Sequence, residues 1–163
     1  MSAAMAASSA WAQSPEPPVR LRGTVQSATP VTLTVKERRG ETVVLRLPDS
    51  LVVQEVYPIE LSDIKPGSFI GTAAMPQPDG TQRAIAVMVF PESARGAGEG
   101  SRPFDLQPDS TMTNATVADL AEAPSGRTLH LKYKGGEKTV VVPPGAPVVS
   151  FRPGDRSLLV LGA

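Results

Sequence analysis

The chain has 163 residues, a length that suits one domain or two small ones. Its 16 Lys and Arg balance 16 Asp and Glu, so net charge does not make the whole chain a polyanion binder. It has no Cys and a single His, His130, which excludes a disulfide framework, a thiolate zinc site, a cysteine nucleophile and a two-histidine metal centre.

Residues 1–12 read MSAAMAASSAWA, apolar and uncharged, ending in the small-x-small pattern of Ala10, Trp11 and Ala12. Shallow signal-peptidase pockets accept that pattern. The run is shorter than the roughly 20 residues that span a bilayer, and no Lys or Arg precedes it. It therefore reads as a signal-peptide remnant, the tail of a longer leader, and predicts a periplasmic or secreted protein. Residues 13–18, with Pro15, Pro17 and Pro18, read as an extended Pro-rich linker.

From residue 19 onward the pattern is all-β. Residues 20–25 and 31–35 alternate polar and apolar side chains, the period of a half-buried strand. Residues 36–40 (KERRG) form a polar turn, and 41–47 return as the partner strand. Pro48-Asp49-Ser50 breaks it, and 51–53 form a further short strand. Lys65-Pro66-Gly67 and the 76–80 segment (PQPDG) punctuate two more strands, 68–75 and 81–90. Only Ile59–Ile64 and Val117–Ala123 offer any helical spacing.

The most specific signal is internal similarity. With a constant offset of 96, residues 31–53 match 127–149 at Leu33/Leu129, Lys36/Lys132, Gly40/Gly136, Val44/Val140 and Pro48/Pro144, among others. Turn glycines and strand-ending prolines are backbone-geometry positions, so the match predicts fold and not chemistry. It implies two tandem copies of a small OB-like or meander β-barrel unit. The first is complete at 19–90, a Gly/Pro-rich linker covers 91–113, and the second, at 114–163, is truncated. A truncated barrel leaves an unpaired strand edge, a route to self-association.

Met75-Pro-Gln-Pro-Asp-Gly80, the 95–103 segment, Ser110-Thr-Met-Thr-Asn-Ala115 and Leu131-Lys-Tyr-Lys-Gly-Gly-Glu-Lys138 together resemble exported bacterial β-barrel proteins of uncharacterised function. Some of these carry the description "metal ABC transporter permease". The resemblance covers about 19–157. A permease crosses the bilayer with repeated apolar helices, and no segment here approaches that length, so an accessory protein of a metal transport system is the role the resemblance implies. The group carries His where this chain has Met88 and Ser101, and Trp where it has Phe104. No metal or cofactor is therefore expected.

The remaining chemistry-bearing residues read mostly as surface. His130 lies on the polar face of its strand, opposite Leu129, Leu131 and Tyr133. Lys36, Arg38 and Arg39 gather on one hairpin, and Arg127, Lys132, Lys134 and Lys138 on another. Single-stranded nucleic acid would need stacking aromatics there, and only Tyr133 is near. An anionic surface polymer is the alternative ligand. Asp49, Glu55, Glu60 and Asp63 fit no calcium-loop spacing. Met75, Met88 and Met112 are too far apart for soft copper ligation. The best candidate contact residues are Arg95, Glu99, Arg102, Phe104 and Asp105, in a loop between two ordered units. The expected function is a non-enzymatic binding or scaffold module of the cell envelope, with an envelope protein as partner. A carboxylate-dependent envelope hydrolase is the reading from another class.

Overall fold

In the computed structural model, residues 19–124 and 126–163 are described, and their regular structure is almost entirely strand. The expected signal remnant (1–12) and Pro-rich linker (13–18) lie outside these residues. The chain divides into two compact units, one ending at Asp49 and completed by Leu159–Ala163, the other spanning Ser50–Leu158.

The first unit is a three-stranded antiparallel meander of β1 (Gly23–Ala28), β2 (Thr32–Glu37) and β3 (Thr42–Arg46). Period-two alternation decides its faces. Val25, Val35 and Leu47 are buried, and Leu33, Val43 and Leu45 are half-buried on the same side. Gly23 starts β1 because the strand passes so close to β2 that a Cβ would lie 2.3 Å from the Lys36 carbonyl oxygen. On the outer side of β1, the Val25 N–H donates to the Ala163 carbonyl, and the Gly162 N–H donates to the Val25 carbonyl, each at 2.9 Å.

The second unit holds β4 (Val53–Pro58), β5 (Phe69–Pro76), β6 (Gln82–Val89), β7 (Gly100–Pro103), β8 (Thr111–Ala123), β9 (Gly126–Tyr133), β10 (Gly136–Val142) and β11 (Val148–Gly154). The β8–β9–β10 meander joins the β5–β6 hairpin through the antiparallel β5–β8 pair. A short parallel pairing, Val140 with Gln82 and Val141 with Arg83, closes the ring into a five-stranded barrel. Five strands leave room only for side chains. Ile70, Val87, Val117, Leu129, Leu131 and Val140 fill the interior, each at most 1% exposed. Arg127 crosses one end: its Nη1 donates to the carbonyls of Leu61 (2.8 Å) and Ile64 (3.3 Å), while Glu122 neutralises it. This fixes the 3-10 turn at Leu61–Asp63, which sets Ile64 into the core.

Two further strands extend the sheet. β11 pairs in parallel with β6 through Val148–Ser150, and antiparallel with β4 through Val149–Gly154. The Ile59 N–H bonds the Val148 carbonyl, and antiparallel alternation from that pair turns the backbone groups of Gln54, Val56 and Pro58 away from β11. Pro153 stands opposite Gln54, at a position where its missing N–H would not have faced β4.

Several expectations change. No barrel is confined to 19–90, because the barrel combines strands from 69–89 with strands from 111–142. The 91–113 stretch is not a plain linker, since it contains β7 and the start of β8. Residues 117–123 are strand and not helix. Pairing with β9 from Thr116 to Ala123 satisfies their backbone and outweighs a weak helical spacing. The strand expected at 51–53 begins at Val53 and runs to Pro58. The unpaired edge expected of a truncated barrel is absent from the ring, because β10 closes on β6; among the described strands, β3, β4 and β7 each have a single strand partner.

The tandem repeat is not confirmed. Both similar stretches make antiparallel hairpins, but in different registers. Val44 pairs with Thr34, whereas Val140 pairs with Leu129 and the Thr34 counterpart, His130, pairs with Thr139. The second hairpin turns through Lys134 and Gly135 alone, with Gly135 at φ +100°, whereas Gly40 takes φ +96° in a longer loop. A one-residue slip exchanges the faces of a strand. Val44 is accordingly 66% exposed, and Val140 is fully buried.

Candidate functional site

The candidate residues lie on a strap, residues 91–110, that leaves β6, forms a 3-10 turn at Glu92–Ala94 and runs back along β8 as β7. β8 is 13 residues long, and one of its edges serves two partners in succession. Thr111–Asn114 bind β7, and residues from Thr116 onward bind β9. Its opposite edge holds β5.

Each turn of the strap is tied down. Arg95 takes both Glu92 carboxylate oxygens, through Nε at 2.6 Å and Nη2 at 2.9 Å, and Nη2 also donates to the Gly67 carbonyl at 2.9 Å. The Arg95 hydrogen bond holds the Glu92 carboxyl below its ordinary pKa, so both groups stay charged at neutral pH. Glu99 accepts the Lys134 N–H at 2.9 Å, joining the strap to the β9–β10 turn. Arg102 Nη1 donates to the Gly98 carbonyl at 2.8 Å. The Phe104 N–H donates to the Ser110 carbonyl at 2.8 Å, and the buried Ser110 hydroxyl is shared between the carbonyls of Gln107 (2.7 Å) and Phe104 (2.9 Å). Asp109 takes φ +62°, a conformation that Asp tolerates better than most side chains.

The five predicted residues are thus strung along one strap and are not gathered round a cleft. Arg95 reaches toward the turn before β5, and Glu99 toward the β9–β10 turn. Arg102 braces the strap's own loop. Phe104 is half-buried near the far end, and Asp105 beside it is exposed.

Sequence reasoning missed the residue that seats the strap. Asn114, 5% exposed, donates from Nδ2 to the Ala97 carbonyl at 2.9 Å. Its Oδ1 is buried without a hydrogen-bond partner. Gly71 of β5 lies directly opposite, and a Cβ there would sit 2.8 Å from Oδ1 and 3.1 Å from the Phe90 ring. Phe90 packs edge-on against both Phe69 and Phe151, with ring centroids 5.3 and 5.5 Å away. The available signal was Asn in the middle of a strand-like run, where Asn is normally depleted.

The other candidates take local roles. His130 Nδ1 lies 3.3 Å from the Thr139 hydroxyl across the β9–β10 ladder. Glu55 pairs with Arg152 at 2.6 Å, and that hydrogen bond holds its carboxyl below the ordinary range. The same guanidinium lies 5.0 Å from the Tyr57 ring centroid. The Glu60 N–H donates to Asp63 at the head of the 3-10 turn. Among the described residues no three His, Asp or Glu side chains converge as metal ligands, and no helix is long and apolar enough to cross a membrane. Comparison of the chain with protein-family models, curated proteins and solved structures found no match in any of the three.

Proposed function

We propose that the chain is a non-enzymatic binding or scaffold module of the cell envelope, periplasmic or secreted, that meets an envelope protein through the strap residues Arg95, Glu99, Arg102, Phe104 and Asp105. The observation that carries this reading is the hydrogen bonding of the strap. Gly96, Gly98 and Gly100 give it a composition free to move, yet it is anchored from Glu92 to Ser110. A loop ordered before it meets a partner loses less conformational entropy on binding, which favours recognition. Arg102 and Asp105 stand exposed on it. The export half of the reading is supported by the Ala10-Trp11-Ala12 pattern.

The test is capture from the native envelope with the wild-type chain and with Arg102→Ala and Asp105→Ala, together with fractionation of the producing cells. The expected result is a defined set of captured proteins that both substitutions deplete. An unchanged set overturns the strap as the contact surface, and recovery of the chain in the cytoplasm overturns its location.

A further inference from the structure

We propose that the outer face of the β1–β2–β3 sheet docks on an anionic lipid surface. The face is defined by register. Lys36 pairs with Thr42, Thr34 with Val44 and Thr32 with Arg46, and side chains directly opposite one another share a side. Lys36 and Arg46 therefore flank a threonine-rich surface with Val44 at its centre. Val44 is 66% exposed, although nothing about a strand prevents a polar residue from standing there. Val31, Val44 and Arg46 line one recess of about 600 Å³, with Thr32, Pro48 and Asp49. Arg38 and Arg39 extend the cationic end on the β2–β3 loop. Among the described residues, none of Lys36, Arg38, Arg39 and Arg46 forms an ion pair.

Charge is divided between the units in a way that net neutrality hides. The described residues of the first unit carry six cations and three carboxylates, whereas Ser50–Leu158 carries ten cations and twelve carboxylates. The first unit also presents Val31, Val160 and Leu161 at 60%, 57% and 80% exposure. Excess cations beside exposed apolar side chains are what a membrane interface takes up: headgroups attract the cations, and the acyl boundary accepts the apolar tips. A soluble polyanion has no use for the valines. Nucleic acid would ask for stacking aromatics, and the described residues of this unit contain none. The proposal rests on the envelope reading only for bringing the chain near a membrane.

The test is cosedimentation of the full chain with vesicles of pure phosphatidylcholine and of equimolar phosphatidylcholine and phosphatidylglycerol, across a salt series. Binding is expected on the anionic vesicles alone, and it should weaken as salt rises. Lys36→Gln, Arg38→Gln and Arg39→Gln should each reduce affinity roughly fivefold and flatten the salt dependence. Val44→Ser should reduce it by the same factor at every salt concentration, and Lys132→Gln, on β9, should leave it unchanged. Circular dichroism and thermal melting confirm that each variant is folded. Equal binding to neutral vesicles, binding to neither, or binding to soluble polyphosphate without binding to vesicles overturns the proposal. Fractionation tests the envelope location separately, so a chain recovered from the envelope that ignores anionic vesicles overturns this proposal alone.

Discussion

Asn114 holds the Ala97 carbonyl at 2.9 Å through Nδ2, while its Oδ1 rests over the Cα of Gly71 in space that any larger residue would fill. One side chain thus fastens the strap to β8, and the absence of a Cβ at position 71 of β5 makes room for it. The arrangement is costly on one side, because Oδ1 is buried and unpartnered. That cost bears on what a substitution does.

Asn114→Ala removes the strap's anchor and also the unsatisfied oxygen, and the two effects oppose each other in global stability. The net loss should be near 1 kcal/mol. The local effect is larger in consequence: amide exchange across residues 94–103 should speed by roughly fivefold while the barrel amides stay slow. Hydrogen exchange resolved by residue checks this. Acceleration spread evenly over barrel and strap would mean that Asn114 does not act as a local fastener.

Among the described residues, four carboxyls lie below their ordinary pKa for stated reasons: Glu55 through Arg152, Asp79 through the hydroxyl and N–H of Thr81, Glu92 through Arg95, and Asp155 through the hydroxyl and N–H of Ser157. A carboxyl depressed in the folded state binds fewer protons there than in the unfolded chain. Its stabilisation is therefore present above the unfolded pKa, about 4, and is lost as pH falls through the folded value. Melting temperature should hold steady down to about pH 5 and then fall. Glu55→Gln should shallow the fall, and salt should reduce the part of it that comes from Glu55 and Glu92, whose partners are charged and exposed to solvent. A Glu55→Gln profile that matches the wild type in slope would remove the Arg152 pair from the account.

The fold class was legible because alternation is a local property: Leu129, His130 and Leu131 alternate inward and outward as their letters suggest. That strands close into a small barrel was expected, but not which strands close it: the closing contact joins Val140 to Gln82, and no local pattern encodes a parallel pairing across that distance. The similarity between residues 31–53 and 127–149 encoded a hairpin in each place but not its register, which the turns decide. At the candidate site the glycines of the strap suggested freedom. The residues that remove it, Asn114 and Ser110, stand on β8 or at its threshold, outside the loop that drew attention.

The register difference gives a direct comparison. Val140→Thr places a hydroxyl in the barrel interior and should cost about 1–3 kcal/mol. Val44→Thr stands among threonines on an exposed face and should change stability by less than about 0.5 kcal/mol. Urea midpoints of the two variants measure the difference. Equal losses would mean that the two positions are equivalent after all, and the one-residue slip would be wrong.

Pro58 sits where β4 turns its backbone outward. Of the three residues that face away from β11, Gln54 and Val56 present N–H and C=O groups, while Pro58 presents only a carbonyl. An open edge with consecutive donors and acceptors is a template for a second chain, and a proline interrupts it. Pro58→Val restores the missing donor, raises strand propensity and extends the open ladder by one position, next to the exposed Val56. Light scattering across a concentration series should show the variant associating at concentrations where the wild-type chain does not. Val56→Lys in the same background should suppress that association, because a lysine in the middle of the edge must be desolvated by any strand that pairs there. If Pro58→Val scatters no more than the wild type, the edge is protected by something other than its proline.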